Sequence, residues 1–133
     1  MNKHKSNKLF SNCLIKKETL QQNKKISIIT LSNPSKRNSL GHEMLHELKS
    51  SIEYFNNINI NSKGKESSIV IISAEGNVFS SGHDLKELSN SEQSKQLHIF
   101  NLLKDISLSI QNNNTIYISE VYGLAAAAGC QLS

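Results

Sequence analysis

The sequence predicts an α/β fold on three observations: β-branched runs of strand length, amphipathic stretches between them, and a regular alternation of the two. Ile26 to Leu31 (ISIITL) is the first strand, closed by the breaker Asn33-Pro34. Ser39 reads as a helix N-cap with Glu43 in the first turn. Met44, Leu45, Leu48, Ile52 and Phe55 then recur at helical spacing, which carries the helix to about Asn56. The polar stretch 57–68, with Gly64, is a loop. Ile69 to Ile72 (IVII) is a strand too continuously apolar for one-sided exposure. Asp84 to Leu88 reads as a short helix. Ile99, Leu102, Leu103, Ile106 and Ile110 mark a longer one from near Ser91, broken at Asn112 to Asn114. Thr115 to Ser119 (TIYIS) is a third strand, and from Ala125 onward the small residues read as a helix entry. The chain stops at Ser133 in what read as the first turns of that helix, so a truncated sequence is expected.

The 133 residues suit one domain of ordinary size. The apolar fraction is 37% and the mean hydropathy −0.39, and no stretch approaches the ~20 apolar residues of a membrane span. The formal charge of +4 is unevenly distributed. Residues 1–25 hold seven lysines against one acid, Glu18, whereas the remainder is slightly acidic. Basicity therefore belongs to a tail, which argues against a nucleic-acid groove, because a groove needs cations on one folded face. The tail reads either as a solvated, disordered extension or as an organelle transit peptide. The absence of acids before Glu18 favours import and the absence of arginine disfavours it. Cys13 and Cys130 have no close spacing, so a disulfide scaffold is not expected.

Three patterns could carry chemistry. His42-Glu43-Met44-Leu45-His46 matches H-E-x-x-H, which in zinc hydrolases sets two imidazoles on one helical face beside a glutamate base. At 100° per residue the two histidines lie roughly 110–150° from the centre of the apolar stripe, toward water. No third ligand follows at a fitting spacing, and no metal is expected. Val78 to Leu88 (VFSSGHDLKEL) places a glycine before a short helix, where a backbone N–H is exposed to anionic oxygen. Ser80 with His83 lacks the G-x-S-x-G elbow of a nucleophile–base pair. Val121 to Leu132 (VYGLAAAAGCQL) leaves almost no side chain between backbone and ligand. It is either a tightly packed core helix or a second N–H turn, and two such turns could form the donor pair of an oxyanion hole.

Ser32 to Leu40 (SNPSKRNSL), VFSSGHDLKEL and VYGLAAAAGCQL together resemble the crotonase, or enoyl-CoA hydratase/isomerase, superfamily. The likeness runs from about Ile26 to Ser133, roughly the N-terminal half of a family domain. It implies an incomplete crotonase-like ββα spiral over 26–133, often trimeric as a homo-oligomer in full-length members. The implied ligand is an acyl-CoA thioester, taken as substrate with no separate cofactor. The resemblance further implies that the backbone N–H groups of His83 and Ala128 grip the thioester oxygen. Lys36, Arg37 and Lys86 stand where the family contacts the CoA nucleotide. SSGHDLKEL with GLAAAAGCQL is nearest to a branch described as mitochondrial and linked to fatty-acid metabolism, which makes mitochondrial localisation the expectation and cytoplasmic the alternative.

The departures qualify the activity. Family hydratases use two glutamates, and the first falls at Gln131. An amide orients water but does not accept its proton, so Gln131 cannot be a general base. The second glutamate would lie past Ser133. Weak or absent hydratase turnover is therefore expected, with a non-catalytic CoA-binding or subunit-interaction remnant as the alternative and a zinc hydrolase a distant third.

Overall fold

The computed structural model describes residues 13–20, 25–61 and 68–133. Ten elements follow one another: β1 (Ile15–Thr19), β2 (Ile26–Leu31), α1 (His42–Asn61), β3 (Ile69–Ala74), β4 (Val78–Ser80), α2 (Leu85–Ser89), α3 (Gln93–Gln111), β5 (Ile116–Ser119), β6 (Leu124–Ala125) and α4 (Ala128–Gln131). A 3₁₀ turn occupies Pro34–Lys36. The main sheet has the order β1-β2-β3-β5, with β1 antiparallel to β2 and the other pairs parallel. A second, two-stranded sheet joins β4 to β6. The α/β class and the crossovers through α1 and α3 are those the alternation predicts.

The core is built between the main sheet and α1 with α3. Ile29 and Leu31 of β2 and Val70 and Ile72 of β3 are buried against the helical stripe Met44, Leu45, Leu48, Ile52 and Phe55. Ile99, Leu102, Leu103 and Ile106 supply the α3 side. Fully burying each such side chain contributes about 1.5–3 kcal/mol. Asn56 ties the helices to the sheet: its Nδ2 donates to the Ser109 carbonyl (3.2 Å), and its Oδ1 accepts from the Tyr117 hydroxyl (2.7 Å). Burial pushes the Tyr117 hydroxyl up to about 12.

Four expectations are corrected. Part of the basic extension folds: Ile15–Thr19 is an edge strand with Ile15 in the core, and Lys16 pairs with Glu75. Its sequence IKKET hides this because a charged edge strand buries one side chain only. Residues 1–12 and 21–24, the rest of that extension apart from Cys13, Leu14, Leu20 and Lys25, lie outside the described residues. The helix cap at Ser39 is displaced. Leu40 is drawn into a bridge with His83, Gly41 takes the first helical hydrogen bond from Leu45 N (3.0 Å), and α1 starts at His42. The same helix runs on to Asn61, past the predicted end. Finally, β3 is not covered on both faces. Register aligns Ile28, Ile71 and Ile118, and Ile26, Ile69 and Ile116, on the face away from the helices, where Ile116 and Ile118 are 49% and 48% exposed.

Candidate active site

The site is assembled by turns at the ends of strands, beginning with the one after β2. Asn38 is completely buried and organises it. Its Oδ1 accepts from Asn33 N (2.8 Å), and its Nδ2 donates to the carbonyls of Glu75 (2.9 Å) and Val78 (2.8 Å). Arg37 and Asn38 both have positive φ, 53° and 49°. This contorted turn lies against the segment after β4. Ser81 N donates to Arg37 O (3.0 Å), Leu40 N to Gly82 O (2.8 Å), and Ser80 Oγ to Asn38 O (2.8 Å). Ser80 is buried, and its Oγ also accepts from Gly82 N (3.2 Å), so its hydroxyl is a structural bracket rather than a nucleophile.

The second contact joins that segment to the one after β6. Ala126 N donates to Ser80 O (3.0 Å). Gly82 has φ 87°, and a Cβ there would stand 2.9 Å from Ala126 O, 3.0 Å from Ala127 Cβ and 3.2 Å from Ala128 N. The two N–H turns singled out in the sequence are thus in van der Waals contact, and only glycine fits between them. The predicted helix entry at Ala125 is corrected by the pairing of β6 with β4. Ala127 then adopts φ 48° and ψ −121°, and α4 begins at Ala128. Among the described residues, no group accepts a hydrogen bond from the backbone N–H of His83 or of Ala128.

The His83 side chain is held from two sides. Its Nδ1 lies 3.2 Å from the Leu40 carbonyl, and its ring meets Phe100 of α3 edge to face at 4.8 Å between centroids. Gln131 is exposed on α4, three positions after Ala128. Lys36 and Lys86 line one cleft of about 600 Å³ beside Gly41, His42 and Asp84. Arg37 is exposed but does not line that cleft; its carbonyl, not its guanidinium, is what the turn uses. Acidic groups share the cleft. Asp84 caps α2 by accepting from Glu87 N (3.1 Å), while Glu87 accepts from Lys95 (2.9 Å) and from His42 N (3.0 Å). Burial raises the Glu87 carboxyl, yet these two hydrogen bonds outweigh it and hold the group below the usual carboxylate range.

The H-E-x-x-H histidines point away from the core as the helical wheel predicts. His46 is exposed, and the His42 ring lies 6.2 Å from that of His46 and 5.2 Å from that of His98. Among the described residues no group of three or more His, Cys, Asp and Glu side chains is arranged to hold a metal ion. None of the described helices is long and apolar enough to cross a membrane. Sequence reasoning missed Asn38 as organiser and Phe100 as the neighbour of His83. A turn-forming asparagine between Arg37 and Ser39 was a readable signal for the first; nothing local marked the second.

The profile of the Enoyl-CoA hydratase/isomerase family matches residues 21–133. The human protein named enoyl-CoA hydratase domain-containing protein 3, mitochondrial, is 46% identical over 106 residues, which is 78% of this chain and 33% of the human one. The Xenopus laevis protein of that name is 43% identical over 115 residues, 85% of this chain and 37% of its own length. The crystal structure of human enoyl-CoA hydratase domain-containing protein 3 superposes with a TM-score of 0.79 at 40% identity, covering 90% of this chain and 44% of that one. An enoyl-CoA hydratase from Mycobacterium smegmatis gives 0.78 at 29% identity, covering 91% and 44%. The chain therefore spans about a third of the length of its curated relatives and less than half of these solved structures.

Proposed function

The chain belongs to the enoyl-CoA hydratase/isomerase, or crotonase, family and carries part of its α/β fold, and from that premise we propose that it binds acyl-CoA thioesters in fatty-acid metabolism. One observation carries the reading: the Gly82–His83 turn and the Ala127–Ala128 turn touch, and neither His83 N–H nor Ala128 N–H has a partner among the described residues. A thioester carbonyl set between them would accept from both. As its α-carbon loses a proton, negative charge moves onto that oxygen and both hydrogen bonds strengthen. Each donor of this kind contributes about 2.7–4 kcal/mol to the transition state. The donors are backbone groups, so alanine at 128 serves as well as glycine.

The Lys36 and Lys86 ammonium groups would take the CoA phosphates as charge-assisted contacts. Arg37 has no part in this assignment, because it stands off the cleft. Gln131 can orient water but has no carboxylate with which to move its proton. Hydratase turnover is therefore weak or absent in this chain. Mitochondrial residence is supported by the relatives' names and suits fatty-acid chemistry.

Calorimetric titration of the chain with crotonyl-CoA, alongside a hydration assay on the same ligand, tests the reading. Binding with at most trace hydration is expected. No binding overturns the function, and hydration at the rate of authentic hydratases overturns the role given to Gln131. Binding with no chemistry of any kind would leave the chain a CoA-binding module.

A further inference from the structure

From the placement of one imidazole we infer that His83 is itself a catalytic residue, its Nε2 being the base that removes the α-proton of the bound acyl-CoA. This rests on the acyl-CoA reading above. Three observations lead to it. A carbonyl oxygen only accepts hydrogen bonds, so the 3.2 Å contact between His83 Nδ1 and Leu40 O fixes the proton on Nδ1. Nε2 then carries the lone pair, and among the described residues it has no hydrogen-bond partner. The backbone N–H of the same residue is one of the two proposed donors, so the imidazole is joined to the proposed site through that residue's own Cα. Gln131, at the position of the family's base, cannot take that role.

The surroundings suit the task. The ring is partly buried, and the edge of contact with Phe100 and the Leu40 anchor restrict its rotation. Phe100 is half exposed, which leaves an apolar surface next to the imidazole for an acyl chain. When Nε2 gains a proton, the hydrogen bond from Nδ1–H to the Leu40 carbonyl becomes charge-assisted. In the step itself the Cα–H bond breaks, the proton forms the Nε2–H bond, and the electron pair passes to the carbonyl oxygen between the two N–H donors. The imidazolium exchanges that proton with water or returns it to C2, or to C4 in a 3-enoyl thioester. No oxidant or further reactant is needed.

The test incubates the chain with 3-hexenoyl-CoA in deuterium oxide, reads deuterium at C2 and C4 by mass spectrometry, and measures binding calorimetrically. His83→Asn is the informative variant, since its amide N–H can still donate to Leu40 O while the base is gone. His83→Gln serves if the asparagine variant loses the wild-type circular dichroism. The expected result is exchange by the wild type, and in the variant exchange slowed about 100-fold or more while binding is still detected. Wild-type binding without exchange, or a variant that exchanges as fast as wild type, overturns the base and leaves acyl-CoA binding intact. Absence of binding by the wild type overturns both.

Discussion

Replacing Gly82 by alanine tests whether the two turns are locked together. Gly82 has φ 87°, and an L-residue in the left-handed region costs about 1–2 kcal/mol. The added methyl would also meet Ala126 O at 2.9 Å, Ala127 Cβ at 3.0 Å and Ala128 N at 3.2 Å. Two of these are backbone atoms and the third is fixed to the backbone, so nothing can rotate away and the turns must part. Strain of this kind adds about 1–3 kcal/mol, giving a total of about 2–5 kcal/mol. Gly76 provides a matched control. It has φ 86°, and its Cβ would meet Pro34 Cβ at 2.9 Å, so alanine there carries the same backbone penalty and a comparable clash away from α4. Urea unfolding followed by circular dichroism measures stability, and calorimetry compares crotonyl-CoA with free CoA. Both variants should lose stability, but Gly82→Ala alone should lose its preference for the thioester over free CoA. A Gly82→Ala variant within about 0.5 kcal/mol of wild type would refute the contact. Equal loss of thioester preference by both variants would refute its connection to the ligand.

Four further outcomes follow from the same geometry. Asn38→Ala removes the partner of three part-buried backbone groups, at about 1–3 kcal/mol each, and should cost at least about 3 kcal/mol in a urea titration. Lys36→Ala and Lys86→Ala should each weaken CoA binding several-fold in a calorimeter, the effect shrinking in high salt, while Arg37→Ala should leave it unchanged. The hydrogen bond from Lys16, and after it that from Ser32, holds the Glu75 carboxyl below the usual range. Its contribution is thus present above the unfolded-state value and lost as pH falls through the folded one, so Glu75→Gln should flatten the acid limb of a stability–pH curve. Ala127→Gly removes the left-handed penalty of about 1–2 kcal/mol against about 0.4–1 kcal/mol of added unfolded-state entropy, and should raise stability by about 0.5–1 kcal/mol in the same titration.

The features legible in the sequence were those set by local periodicity. Ile26–Leu31 is a strand with the predicted bounds, and every residue of the predicted α1 stripe is buried. Asp84 stands as the N-cap of α2, as the short-helix reading has it at its first residue. What could not be read depends on partners distant along the chain. Val78–Ser80 and Leu124–Ala125 are strands only because they pair with each other, and neither is long enough to show alternation. The start of α1 is set by Glu87, which binds His42 N from 45 residues away. Gly82 and Ala128 looked separately like an ordinary turn and a packed helix. Their contact is a property of β4 lying beside β6, and only the resemblance of three linked motifs pointed to it.

The cost of the site falls on a few adjacent residues. Ala127 holds φ 48° and ψ −121°, a conformation that disfavours a Cβ, and it occupies the N-cap position of α4 without a side-chain oxygen to offer. Serine or aspartate there would have supplied an acceptor over the first amides of the helix, and glycine would have relaxed the backbone. Alanine does neither. The strain turns the peptide after Ala127, and Ala128, as the first residue of α4, has no intrahelical acceptor for its N–H. At the opposing turn, Gly82 N is satisfied by Ser80 Oγ while the next amide, His83 N, has no acceptor among the described residues. Two open donors at touching turns, one beside a strained residue, are the local features on which the acyl-CoA proposal rests. Under the acyl-CoA proposal, an oxygen brought by the ligand would accept from both of them.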